Sequence, residues 1–452
     1  MTLLSAATPP PAGTGDGRFL RQELRPGVGL SVWRTQAFKT NLVEVVLRQP
    51  LAAASVTANA LVPFVLRRGT ERHPTSLAMA RFLEELYGAD LSVDVAKIGE
   101  SQNLRFHVEV AAERFLPGER DLFRKALGLL REVVLEPRRD GESFHAPYFQ
   151  QERENLRRGI EGLVNDKRQY AVIRLVEEMY RGRPYGLYKY GRVEDLPSLD
   201  PQGLYRHYRN LLETSPVEIF VVGDLDPEDV ARWVEAELPL RPARPQALVP
   251  TRSRPADPAG RTVREEQPVQ QGVLTMGWTA GATYADDGYE ALLAANGLLG
   301  AFPHSKLFMN VRERASLAYF AFSRYEASQG FVYASAGINV ENYERSRVII
   351  EEQVEALRRG DFTSGELEKC RRSLVSSYRS MQDSGERMID TFLVGLANGR
   401  PRDPDEVIAR LERIDPGTIR DAAESLRLAT VYFLSRPQEA SGGQAAVREE
   451  VR

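Results

Sequence analysis

The chain is poor in the residues that most often announce chemistry. Its 452 residues hold one cysteine, Cys370, which excludes an internal disulfide and a cysteine-based zinc ribbon. Cys370 lies in ELEKCRRSLVSSYR, a helical pattern, where a buried structural thiol is expected rather than a nucleophile. The histidines His73, His107, His145, His207 and His304 include no pair three or four residues apart, so no helix presents two of them on one face. Neither H-E-x-x-H nor H-x-x-E-H occurs. Walker A, G-x-G-x-x-G and G-x-S-x-G signatures are missing too, which argues against phosphate loops and a serine nucleophile turn. No run approaches the roughly 18 apolar residues of a membrane span. The N-terminal MTLLSAATPPPAGTGDG has no basic flank before a long apolar core, so residues 1–19 are expected to be a flexible extension and not a signal peptide. The expected compartment is cytoplasmic. A formal net charge of -3 gives no global case for nucleic acid or an anionic membrane as partner.

What is present is ordinary globular material in two similar halves. Hydrophobic residues make up 42% and charged residues 27% of the chain, enough for more than one core. Proline recurs through ELPLRPARPQALVPTRSRPADPAGRTVREEQP while apolar periodicity stops after Leu240, so a linker is expected over 241–266. It separates a domain at 20–240 from one at 267–446. In the first, GLSVWRTQ and NLVEVVLRQ alternate like half-buried strands. Helices are expected at 52–67 and 75–87, then an antiparallel pair LSVDVAKIG and QNLRFHVEVA, with Leu104, Phe106, Val108 and Val110 on one face. Helices at 118–134, 145–167, 169–180 and 201–212 precede the buried strand VEIFVVG and a helix capped by Asp226. The second half repeats the order: strand 270–280, helical 287–300 and 305–313, a strand pair, helices 343–359 and 363–393, two shorter ones, and the strand ATVYFLSR. The repeat implies a duplicated α+β architecture with helices packed on largely antiparallel sheets.

Two segments bear on function. NALVPFVLRRGT (59–70) is apolar, carries a proline and stops at Gly69-Thr70; on its own it is a buried helix. NVRERASLAYFAF (310–322) places Arg312 at a helix end and Tyr319 on the next strand, a junction able to deliver a guanidinium and a phenol into one cleft.

Residues 297–338 carry a resemblance. Leu299-Gly300, Ser305, Leu307-Phe308, Arg312-Glu313 and Leu317-Ala318-Tyr319 follow one another as in the C-terminal half of the M16 metallopeptidases, the family of pitrilysin, insulysin and the mitochondrial processing peptidases. The seven-residue interval from Arg312 to Tyr319 matches that family's substrate-binding pair. The resemblance extends from about residue 20 to 440 and implies the duplicated M16/LuxS-like metallohydrolase fold. The N-terminal half departs from it. Laid on Gly69-Thr70, the H-x-x-E-H positions fall on Ala60, Pro63 and Phe64, and the third ligand, counted from Glu152-Arg153, falls on Gly159. None of these side chains can bind zinc or take a proton from water. The resemblance therefore implies a non-catalytic subunit with no cofactor of its own. Its expected partner is an M16 homologue bearing the zinc motif, and its expected substrate a peptide or small unfolded protein. Arg312 and Tyr319 would be its contribution to a heterodimeric peptidase. The alternative is a silent peptide-binding or scaffold protein in a processing or modification pathway.

Overall fold

The structure is a computed structural model and describes residues 19–250, 255, 260–437 and, for the backbone, 447–450. The first eighteen residues of the expected extension lie outside the described residues. The first half runs β1 (Leu20–Arg25), β2 (Val28–Arg34), β3 (Thr40–Pro50), α1 (Val56–Leu66), α2 (Ser76–Glu85), β4 (Asp90–Ile98), β5 (Ser101–Ala111), α3 (Leu122–Leu135), α4 (Ala146–Gly162), α5 (Lys167–Met179), α6 (Pro201–Thr214), β6 (Val217–Gly223) and α7 (Pro227–Glu237). The second runs β7 (Arg261–Glu266), β8 (Gly272–Thr279), α8 (Tyr289–Asn296), β9 (Ala318–Glu326), β10 (Phe331–Ile338), α9 (Tyr343–Arg359), α10 (Ser364–Met381), α11 (Gly385–Ala397), α12 (Pro404–Arg413), α13 (Pro416–Glu424), β11 (Arg427–Ser435) and β12 (Val447–Glu450).

Each half builds a six-stranded sheet, ordered β1-β2-β6-β3-β5-β4 and β12-β7-β11-β8-β10-β9. The five strands after the first in each order correspond one to one. In each sheet a single pair is parallel, β2 with β6 and β7 with β11, and the rest are antiparallel. The α+β duplication expected from the repeat is what the chain forms.

The sheets are covered reciprocally. On one face of the first sheet, Val43, Val45, Leu47, Phe106 and Val108 meet α1, α3 and α6 in a common core. The other face carries Trp33, Leu42, Val46, Phe220 and Val222, and these pack on Met388, Ile389 and Leu393 of α11, from the other half. In return, Ala171, Leu175 and Met179 of α5 pack on Val273, Phe331, Tyr333, Tyr432 and Leu434 of the second sheet. This explains why β3 is buried along almost its whole length: a strand covered on both faces has no solvent side to leave polar.

Polar residues seal both contacts. Glu265 on β7 accepts from Tyr170 Oη at 2.6 Å, Tyr432 Oη at 2.8 Å, Gln267 Nε2 at 2.7 Å and Arg174 Nε at 3.1 Å. Opposite, Arg105 on β5 holds Glu44 through Nη2 at 2.9 Å and reaches Asp390 of α11 through Nη1 at 2.6 Å. His107 lies between Glu44 and Glu386, 3.8 Å and 3.7 Å away.

Three expectations are corrected. The linker expected over 241–266 ends sooner, because Arg261–Glu266 is a strand paired with β11. Its inward side chains are Val263, buried in the core, and Glu265, charged and hydrogen-bonded, so the apolar alternation that betrays a strand is interrupted. The second sheet also gains β12 at Val447–Glu450, past the expected boundary at 446. The single helix expected at 363–393 is broken between Met381 and Gly385, where Ser384 caps α11 by accepting from the backbone N–H of Arg387.

Arg105→Met leaves Glu44 buried without its cation and should cost about 3 kcal/mol in denaturant unfolding. The pH dependence at His107 has a definite sign. Burial draws the imidazole pKa down, but the hydrogen bond and charge of Glu44, with the charge of Glu386, outweigh burial and raise it above 6.5. Its stabilisation is complete below 6.5 and is lost as pH rises through the raised value. The stability gap between wild type and His107→Gln should therefore shrink with rising pH.

Candidate functional site

The helix onto which the resemblance lays the zinc positions is core. α1 is buried on most sides, with Ala60 fully enclosed and Pro63 buried inside the helix. Pro63 has no amide hydrogen for the carbonyl of Asn59, yet the helix continues to Leu66. Phe64 is half-buried, its ring 6.3 Å from that of Tyr190. The loop around Tyr190 is pressed on α1: a Cβ on Gly191 would come within 1.9 Å of Thr57 Oγ1. α4 packs beside α1, as a third-ligand helix must, but Gly159 is on its exposed side, where a Cβ would meet nothing.

The polar groups of α1 serve structure. Asn59 donates to Gln102 Oε1 at 2.9 Å and its Oδ1 lies 2.7 Å from His207 Nε2. Gln102 donates to the carbonyls of Val56 and Lys189 at 2.9 Å and 2.7 Å. Thr57 Oγ1 donates to Asp195 at 2.6 Å. Burial lowers the pKa of His207, keeping that imidazole neutral. Past the helix, Thr70 donates to Glu132 at 3.0 Å and accepts from the His73 amide at 2.8 Å. Among the described residues, no group of three or more His, Cys, Asp or Glu side chains is placed to hold a metal ion. The residues present at the address do not fit zinc: two are enclosed hydrocarbon, one is a half-buried ring and one has no side chain.

The second half is built differently. α8 runs on into a wide π turn, Gly297–Ala301, and a second π turn spans Phe308–Arg314. The segment expected to be helical at 305–313 is mainly this second turn, closed by Ala315 N–H donating to Asn310 O at 3.2 Å. Gly300 backs directly on β9, where a Cβ would come within 2.4 Å of Ser323 N. Arg312 leaves the second π turn with its side chain 43% exposed, 3.6 Å from Glu313 and over the Phe308 ring at 4.6 Å. Ser316, at φ 52, reverses the chain into β9.

Tyr319 then sits on a β-bulge. Ala318 pairs with Ile338 and Phe320 with Gly337, which leaves Tyr319 as the extra residue. The bulge turns its side chain outward, 58% exposed, on a strand otherwise packed against the core through Ala318, Ala321 and Tyr325. Its hydroxyl has no hydrogen-bond partner among the described residues. Arg312 and Tyr319 thus flank one turn-and-bulge junction, both exposed, but without contact between their side chains. Sequence spacing indicated the junction; the π turn and the bulge, which aim the side chains, carry no sequence signature.

Cys370 is fully buried beside Ala294, and burial pushes its thiol up to about 12, as befits a structural residue.

Residues 198–374 match the family model described as the peptidase M16 inactive domain. A probable inactive metalloprotease of Bacillus subtilis, YmfF, is 33% identical over 416 residues, which cover 92% of this chain and 97% of that protein. The chain belongs to the M16 family. Among solved structures, a conserved protein from Enterococcus faecalis superposes with a TM-score of 0.85 at 27% identity, covering 94% of this chain and all of that one. A peptidase M16 inactive domain from Pseudomonas fluorescens shares the fold, with a TM-score of 0.74 at 18% identity over 94% of this chain and all of that one. The match to YmfF and the shared fold span both halves of the chain.

Ala60 and Gly159 should respond oppositely to substitution. Gly159→Ala adds a methyl to an open helix face and should stabilise by about 0.4–1 kcal/mol. Ala60→His forces a ring into a closed core and should destabilise by about 1–3 kcal/mol. Paired denaturant melts measure both.

Proposed function

We propose that this chain is a non-catalytic subunit of an M16-type peptidase pair and contributes Arg312 and Tyr319 to a shared peptide site. The observation that carries the reading is the contrast between the halves. The α1 address is filled and packed shut, whereas the Arg312–Tyr319 junction is exposed and aimed by a bulge that the core alone does not require. Metal chemistry, in this reading, belongs to a partner M16 chain.

The chemistry left to this chain is binding and orientation. A peptide bond is uncharged and its carbonyl oxygen carries lone pairs, so the backbone carbonyl is gripped by hydrogen-bond donors. The Arg312 guanidinium supplies N–H donors and Tyr319 one O–H donor. A donor that stands where negative charge develops on a carbonyl oxygen stabilises the transition state more than the bound peptide. Among the described residues neither group needs to give up a buried partner first, since Arg312 holds the exposed Glu313 at 3.6 Å and the face of Phe308.

In the assembled pair, Arg312→Ala and Tyr319→Phe should each lower peptidase kcat/KM, by about a hundredfold if the donor meets the developing charge. Tyr319→Phe removes only a hydroxyl from an exposed ring, so its effect is free of packing loss. Unchanged kcat/KM in both variants would turn the reading toward the scaffold alternative.

A further inference from the structure

Arg168, in the first turn of α5, stands at the meeting of the halves. Its guanidinium lies 4.1 Å from the centroid of Phe322 and 5.2 Å from that of Phe320. Both rings belong to β9, the end strand of its sheet, and follow the Tyr319 bulge directly. Phe320 is itself seated over Gly337, where an added Cβ would come within 2.5 Å of the ring. The platform under Arg168 is therefore built from a ring, a space that only glycine leaves, and a second ring.

Arg168 is exposed and has no hydrogen bond or carboxylate partner among the described residues. The cations around it are engaged. Lys167 donates to Gln267 at 2.7 Å, Arg174 to Glu265 at 3.1 Å, and Arg324 is 3.0 Å from Glu326. The negative faces of aromatic rings hold a guanidinium by its flat side. That leaves its N–H edge free, the edge that receives a carboxylate through two parallel hydrogen bonds. Stacking also fixes the long side chain beforehand, so less freedom is lost when an anion arrives.

We propose that Arg168, held over Phe320 and Phe322, binds a carboxylate of an extended peptide lying beside β9. The peptides this chain takes would then carry an acidic group a few residues from the segment that Tyr319 contacts. The proposal rests on the peptide-binding reading above and adds the chemical class of the ligand. The carboxylate could be an Asp or Glu side chain or a peptide C-terminus; the chemistry at Arg168 is the same.

The test is fluorescence anisotropy with the full chain and three Ala-Ser peptides. One carries a central Glu and has both ends blocked, one is its Gln counterpart, and one is the Gln peptide with a free C-terminal carboxylate. A carboxylate-bearing peptide should bind about tenfold more tightly than the blocked Gln peptide, and which one gains names the source. Arg168→Gln should erase that preference, and Arg168→Lys should keep only part of it. Equal affinity for all three peptides, or a preference that survives Arg168→Gln, would overturn the assignment to Arg168. If binding in that case still weakens with Tyr319→Phe, the peptide-binding reading stands without it. Failure of all three peptides to bind would overturn both.

Discussion

The reciprocal covering of the two sheets is the constraint on which the rest depends. Each half of the chain makes a sheet that is apolar on both faces and enough of its own helices to cover one. The second face is covered by a helix borrowed from the other half, α11 on the first sheet and α5 on the second. A half taken alone would leave such a face open to water, a large continuous apolar patch. The duplicated halves are thus one structural unit, and the buried polar groups at the contacts fix how they meet. Glu265 is satisfied by two phenols, an amide and a guanidinium. Glu44 is satisfied by a guanidinium that also reaches across to Asp390.

This arrangement separates fold from chemistry. α1 is core, with Ala60 and Pro63 buried in it and Phe64 half-buried, so its place in the fold needs no metal. The space is not left empty: Tyr190 approaches Phe64, and Asn59, Gln102 and His207 link the helix to its neighbours. The opposite half keeps an exposed junction at Arg312 and Tyr319 whose aim depends on local backbone devices. The same contact of the halves that buries α5 brings Arg168 over β9, so the covering of one sheet also shapes the surface beside Tyr319.

Much of this was legible in the sequence because it is local. Alternation marked β2, β3 and β5, though β3 is buried on both faces and not half-buried, an apolar run marked β6, and Asp226 marked the start of α7 by its capping chemistry. What was hidden depends on partners far away in the chain. An amphipathic pattern says that α5 and α11 have an apolar face, not that each faces the other half's sheet. β7 was hidden because Glu265 points inward on the strength of Tyr170 and Tyr432, which only the fold supplies. The break before α11 rests on one cap, and the bulge at Tyr319 on a register shift. Arg168 is one arginine among many in the sequence; its two-ring seat joins residues about 150 positions apart.

The central claim is that this M16 chain keeps the family's fold without its metal chemistry. Metal analysis of the purified chain, with a peptidase assay on the same sample, tests it most directly. The account predicts zinc well below one equivalent and no chelator-sensitive cleavage by the chain alone. One tightly held zinc per chain, with cleavage that a chelator abolishes and zinc restores, would contradict it.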